Sequence, residues 1–171
     1  MQTKSAALYA LKRVSAVLLI LTLLLAAISV TSEVSANPKK LKDDTYHVSV
    51  SVYQADKDAV SMSAPYFKKT AKIVVKNGAM TMTLYADTAT IQKAMPDGKY
   101  KIDLQVSNGK GGYTQAKVAV RNAQGSPTAF SFPLPNTSTY VPIRLNPHVA
   151  AMGNSYVNAR LRIDYSTLKA S

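Results

Sequence analysis

The sequence predicts an all-β fold, a sandwich or barrel of about eight short strands forming one domain. Three observations predict it. Apolar residues recur at every second position in one stretch after another, the period of a half-buried strand. The stretches are separated by turn chemistry such as Asn77-Gly78, Pro96-Asp97-Gly98 and Gly109-Lys110-Gly111-Gly112. The one run of good helix formers, Asp87 to Met95, is too short to change the class.

Taken in order, Tyr46, Val48, Val50 and Val52 alternate with His47, Ser49, Ser51 and Tyr53 and make the opening strand. The segment from Asp58 to Phe67 breaks the alternation with small residues and Pro65. It is expected as a short helical connection whose Met and aromatic side chains either pack on the sheet edge or line a pocket. Ile73 and Val75 lead into Asn77-Gly78, and Met80, Met82 and Leu84 return, which reads as a tight hairpin. Asp87 can cap a short helical turn that ends before Pro96. Tyr100, Ile102, Leu104 and Val106 then alternate, and Ala116, Val118 and Val120 return after the glycine-rich turn. Phe130, Phe132 and Leu134 make the next strand, and Val141, Ile143 and Leu145 the one after. The last strand places Val157, Ala159, Leu161 and Ile163 on one face and Asn158, Arg160 and Arg162 on the other.

Residues 1–36 differ in composition from the rest. Lys4, Lys12 and Arg13 are followed by an uncharged, Leu-rich run from Val14 to Ser32 and then by Val34-Ser35-Ala36. This is the pattern of a secretory signal peptide cleaved after Ala36, so a secreted or cell-wall-associated product is expected. The alternative is an uncleaved N-terminal anchor helix, for which the run is long enough. Residues 37–43 are polar with one proline and read as a flexible lead-in, and 44–168 as the domain. With no cysteine, the exported fold has to hold by packing alone. The net charge of +12 becomes +10 without the leader. That favours anionic partners, wall polymers and carboxylate ligands among them. Nucleic acid is set aside, because the Lys and Arg residues are spread along the chain with no arginine-rich run.

Catalytic chemistry is not supported. The only histidines are His47 and His148, there is no HxxxH or CxxC spacing for zinc, and the acids sit in turn-like stretches. Gly109 to Gly112 lies between two strands and opens no helix, which makes it a hairpin turn and not a phosphate cradle.

Three stretches resemble the NEAT (near-iron-transporter) domains of Gram-positive bacteria: Asp44 to Asp56, Ser61-Met-Ser-Ala-Pro-Tyr-Phe67 running on to Gly78, and the closing hairpin from Thr139 to Tyr165. The resemblance implies an immunoglobulin-like β-sandwich with a short helix beside the ligand pocket, and haem as the ligand. It implies a haem held between that helix and the last hairpin, with Ser61 on a propionate, Tyr66 stacking near the pocket, and Lys57, Lys68 or Lys69 adding charge. Where the family carries Tyr-x-x-x-Tyr, this chain reads Met152-x-x-x-Tyr156, or Gly153 and Val157 if matched without a gap on Arg160-Leu161. Met152, Tyr156 and Met62 are therefore the candidate iron ligands. Met62 and Met152 would face each other across the iron in one arrangement; Tyr156 would ligate with Met62 covering the opposite face in the other. His148 is a candidate by residue type. A one-residue bulge before Val157 would decide the register in favour of Tyr156. The resemblance also implies relay of haem to another NEAT-like protein, and the rival readings are a module that grips haemoglobin or another host protein without holding haem, and a structural domain bound to anionic wall polymers.

Overall fold

The computed structural model describes residues 40–148 and 154–171. Nine antiparallel strands lie in one hydrogen-bonded sheet: β1 (Asp44–Gln54), β2 (Phe67–Lys76), β3 (Ala79–Ala86), β4 (Asp103–Ser107), β5 (Tyr113–Gln115), β6 (Lys117–Arg121), β7 (Pro127–Leu134), β8 (Tyr140–Asn146) and β9 (Val157–Ala170). A three-residue 3-10 helix (Ala64–Tyr66) joins β1 to β2, and α1 (Thr88–Ala94) follows β3. The strand order is β5-β4-β8-β9-β1-β2-β3-β7-β6. Its two ends, β5 and β6, are separated in the chain by Ala116 alone, so the sheet curls back on itself into a nearly closed barrel. This is the all-β, immunoglobulin-like architecture expected, with nine strands where about eight were read.

The additional strand comes from one residue. Ala116 is buried and its amide donates to Leu104 O at 2.8 Å, which ends β5 and starts β6 on the opposite edge of the sheet. Two smaller departures have similar causes. Tyr100 leaves the ladder because its amide donates to Ser126 Oγ at 2.9 Å and its hydroxyl to Pro127 O at 2.8 Å. Val120, read as inward, is 52% exposed because β6 slips register against β7 on either side of it.

The alternating residues form the core. Val48, Val50 and Val52 of β1 share one core with Ile73, Leu84, Phe130, Ile143, Leu161 and Ile163, and all six of the latter are fully buried. The β2–β3 hairpin turns through Asn77 (φ 53°) and Gly78 (φ 75°), the left-handed pair that this turn needs. The Asp43 carboxylate accepts from both of those amides, at 2.6 and 3.1 Å. With Leu41 packed against the core, the end of the stretch read as a flexible lead-in is thus held down. Asp87 caps α1 by accepting from Thr90 N at 2.9 Å. The leader and its cleavage position fall outside the described residues.

Candidate functional site

The chain leaving β1 doubles back onto it. Gln54 N donates to Ala59 O, Ser61 N donates to Val52 O, each at 2.9 Å, and Val60 forms a bridge with Tyr53. Pro65 then sets the start of the 3-10 helix, whose last carbonyl, on Tyr66, accepts from Asp87 N at 2.8 Å and so ties it to the cap of α1. Ser61 Oγ lies 2.9 Å from Ser63 Oγ and accepts from Ser63 N at 3.3 Å. Held this way, the segment presents its apolar side chains to solvent: Val60 is 56% exposed, Met62 92% and Tyr66 40%.

Tyr53 also pairs with Arg160 on its other side, and Arg160 in turn pairs with Pro142. The outer face of β1, β9 and β8 is therefore continuous with the Val60–Tyr66 segment. It carries an arginine–tyrosine layer. The Arg160 guanidinium sits 4.3 Å from the centre of the Tyr140 ring, Arg162 lies 5.8 Å from that of Tyr53, and Arg144 lies 4.0 Å from that of Tyr113 on β5. The Tyr53 and Tyr140 rings meet edge to face with centres 6.2 Å apart. From the loop above, Asp58 accepts from the Tyr140 hydroxyl at 2.9 Å and from Arg160 Nη2 at 3.3 Å. That hydrogen bond from the phenol to Asp58, with some burial, pushes the Tyr140 pKa up.

Among the sequence candidates, Ser61, Met62 and Tyr66 share the exposed segment. Met152 lies outside the described residues. Tyr156, on the approach to β9, is partly exposed and donates to Gln115 Oε1 over a long 3.4 Å. The β8–β9 ladder is regular as far as Leu145 and Val157, so any bulge would have to precede Val157. Val157 is in phase with buried Ala159 and Leu161, yet 42% exposed at the open end of the strand pair. His148 has turned away: its Nε2 is 2.8 Å from Asp103 Oδ2, and the ring lines a separate cavity of about 660 Å³ with Met95, Tyr100 and Pro147. Among the described residues no other candidate lines that cavity. Lys57, Lys68 and Lys69 are exposed. No group of three His, Cys, Asp or Glu side chains able to hold a metal occurs among the described residues.

Sequence reasoning missed the arginine–tyrosine layer and Asp58. Arg160 and Arg162 were read only as the polar face of a strand. Tyr53, Tyr140 and Asp58 are 20 to 109 positions away in sequence from their partners, and only the sheet register brings them together. The alternation of Arg with apolar residues was the available signal, but it does not say which rings lie opposite.

Residues 39–167 match the family model for the NEAT, iron transport-associated, domain. Hemin/hemoglobin-binding protein 1 of Listeria monocytogenes is 28% identical over 133 residues, 76% of this chain. The chain spans 58% of that protein's length. Among solved structures, the fifth NEAT domain of IsdX2, a Bacillus anthracis hemophore, superposes with a TM-score of 0.57 at 17% identity, covering 72% of this chain and 97% of that domain in complex with heme. A point mutant of the IsdX2 domain, also in complex with heme, gives a TM-score of 0.59 with the same identity and coverage. At that identity the structural likeness establishes the fold.

Proposed function

The chain belongs to the NEAT, iron transport-associated, domain family, and we propose from that premise that it is an exported module that captures or relays haem. It is a binding domain and not an enzyme. One observation supports the haem reading most strongly. Six large hydrophobic side chains are exposed among the described residues: Val60, Met62, Tyr66, Val120, Tyr156 and Val157. Five of the six fall on just two segments, the connection after β1 and the start of β9. Apolar surface concentrated in this way on a soluble fold marks a binding site. The two segments flank the outer face described above, and a flat apolar ligand laid against them would cover Val60, Met62, Tyr66 and Tyr156 together.

The proposed mechanism is binding and exchange. Met62 and Tyr66 cover the porphyrin on one side, and Tyr156 approaches from the hairpin. Ser61, whose hydroxyl is engaged only with Ser63 in its own segment, faces a propionate. The basic surface attracts the ligand's carboxylates. The residues fit such a ligand in type, since phenolate oxygen and thioether sulfur are both known haem ligands. Mixing the purified domain with one equivalent of hemin and recording the Soret region tests the reading. A bound-haem band is expected; its absence would reject the reading.

A second reading, docking on haemoglobin, is favoured by the likeness to the Listeria hemin/hemoglobin-binding protein and uses the same exposed segment. Retention of haemoglobin by an immobilised domain that takes up no free hemin would select it. Export itself is tested by the N-terminus of the secreted product, expected at Asn37.

A further inference from the structure

The haem reading leaves a question about the carboxylates of the ligand, and here the geometry points to Arg160 as their receptor, held closed by Asp58 until ligand arrives. The inference rests on the proposed function and adds to it a recognition group on the sheet face, away from the 3-10 segment. Arg160 projects from near the start of β9 between Tyr53 and Pro142, with its guanidinium stacked on Tyr140. Its Nε is buried and has no hydrogen-bond partner. A buried donor without an acceptor is costly, and an arginine on an exposed strand face has easy ways to avoid it. Here the side chain is held in place by the ring beneath it.

The one carboxylate present uses the guanidinium poorly. Asp58 lies on the loop with its side chain 76% exposed. Its Oδ1 is shared between the Tyr140 hydroxyl, at 2.9 Å, and Arg160 Nη2, at 3.3 Å. The favoured carboxylate arrangement is a parallel pair of bonds along one edge of the guanidinium, and Asp58 makes a single long one. It holds the place of a carboxylate without satisfying the arginine. Arg162, two residues along the same strand face, adds a second cation beside Tyr53. Asp164, the next outward acid on β9, is bonded to Ser166 and does not compete. Because Val60 bridges to Tyr53 and Tyr53 pairs with Arg160, a ligand on the exposed Val60–Tyr66 segment lies within two strands of this charge. A porphyrin with two propionates can displace Asp58 and supply the paired bonds that it does not make.

The test compares hemin with its dimethyl ester, in which both carboxylates are capped, on the wild-type domain, Arg160→Gln and Asp58→Asn. Arg160→Gln is expected to weaken hemin binding by about 10-fold or more and to leave ester binding within about 2-fold. Asp58→Asn should tighten hemin several-fold and leave the ester unchanged. Equal hemin affinity in wild type and Arg160→Gln, or equal losses for hemin and ester, would overturn the proposal while leaving the haem reading intact. If Arg160→Gln does not fold, the exposed Asp58→Asn decides alone, and an unchanged hemin affinity overturns the inference. Wild-type protein that binds neither compound removes the haem reading and this inference with it.

Discussion

Replacing Tyr156 with Phe separates a ligand from a packing residue, because the structure makes the hydroxyl nearly dispensable for folding. That hydroxyl donates to Gln115 Oε1 at 3.4 Å from a partly exposed side chain. A bond that long, with water close by, is worth at most about 0.5 kcal/mol. Tyr156→Phe should therefore move the melting temperature by no more than about 3 °C. Hemin affinity should respond quite differently. Loss of a group that merely orients a metal ligand costs about 10–100-fold, so losing the ligand itself should cost roughly 100-fold or more, which is about 2.7 kcal/mol. Met62→Leu keeps the apolar volume and removes the sulfur, and since Met62 is 92% exposed the fold will not register the change. If Met62 only covers the porphyrin, its substitution should alter affinity less than about 3-fold. Transfer of hemin to excess apomyoglobin reads the off-rate for each variant, and the visible charge-transfer bands report the axial ligand. An unchanged off-rate and spectrum in Tyr156→Phe would refute phenolate ligation. A spectrum altered by both Met62→Leu and Met152→Leu would establish the methionine pair in its place.

Three further outcomes follow from the fold. Burial pushes the Tyr165 phenol up to about 12, and its hydroxyl is buried without a partner; Tyr165→Phe should be neutral or stabilising by up to about 1 kcal/mol in urea unfolding, and a loss above about 1 kcal/mol would show an unseen partner for the hydroxyl. Leu161, fully buried and paired with Val52 and Val141, should cost about 2–5 kcal/mol on truncation to Ala, read as a lower urea midpoint at unchanged slope. The carboxyls of Asp43, Asp87 and Asp164 are held below the usual Asp range, chiefly by the Asn77 amide, the Thr90 amide and the Ser166 hydroxyl respectively. Folded values below the unfolded ones mean that this stability is present above about pH 4 and is lost as the pH falls through the folded values. The melting temperature should fall modestly below about pH 4, less so in Asp43→Asn, and a flat profile from pH 5 to 3 would contradict the assignment.

Legibility in the sequence followed the range of the interactions. The period-two pattern placed the buried face of β1, β8 and β9 correctly because alternation is a property of a few neighbouring residues. Asn77-Gly78 and the Asp87 cap were equally local, and both appear where they were expected. The split at Ala116 was not readable, since it depends on which edge each half of one short alternating run joins. Tyr100 looked like a strand residue until Ser126 and Pro127, distant in sequence, captured its amide and hydroxyl. The site divides along the same line. Ser61, Met62 and Tyr66 are contiguous and were found together. Arg160, Tyr140 and Asp58 converge only after β1, β8 and β9 pair.

The layer also changes what the outer face can select. A sheet face lined with aliphatic side chains would accept any flat apolar molecule, and its selectivity would be limited to size. Here Arg144, Arg160 and Arg162 each lie over a tyrosine ring, so apolar area and positive charge come from the same stacked pairs. A ligand without anionic groups would cover Arg144 and Arg162 without bringing them an opposite charge and would leave Arg160 with only its single long bond to Asp58, and covering a charge without a partner is costly. The exposed hydrophobic segment and the arginine layer therefore favour the same kind of molecule, one with a flat apolar body and carboxylates at its margin. Either feature alone would fit many ligands. Adjoining through the Val60–Tyr53–Arg160 pairing, they support the proposed preference for carboxylated porphyrins over neutral aromatics.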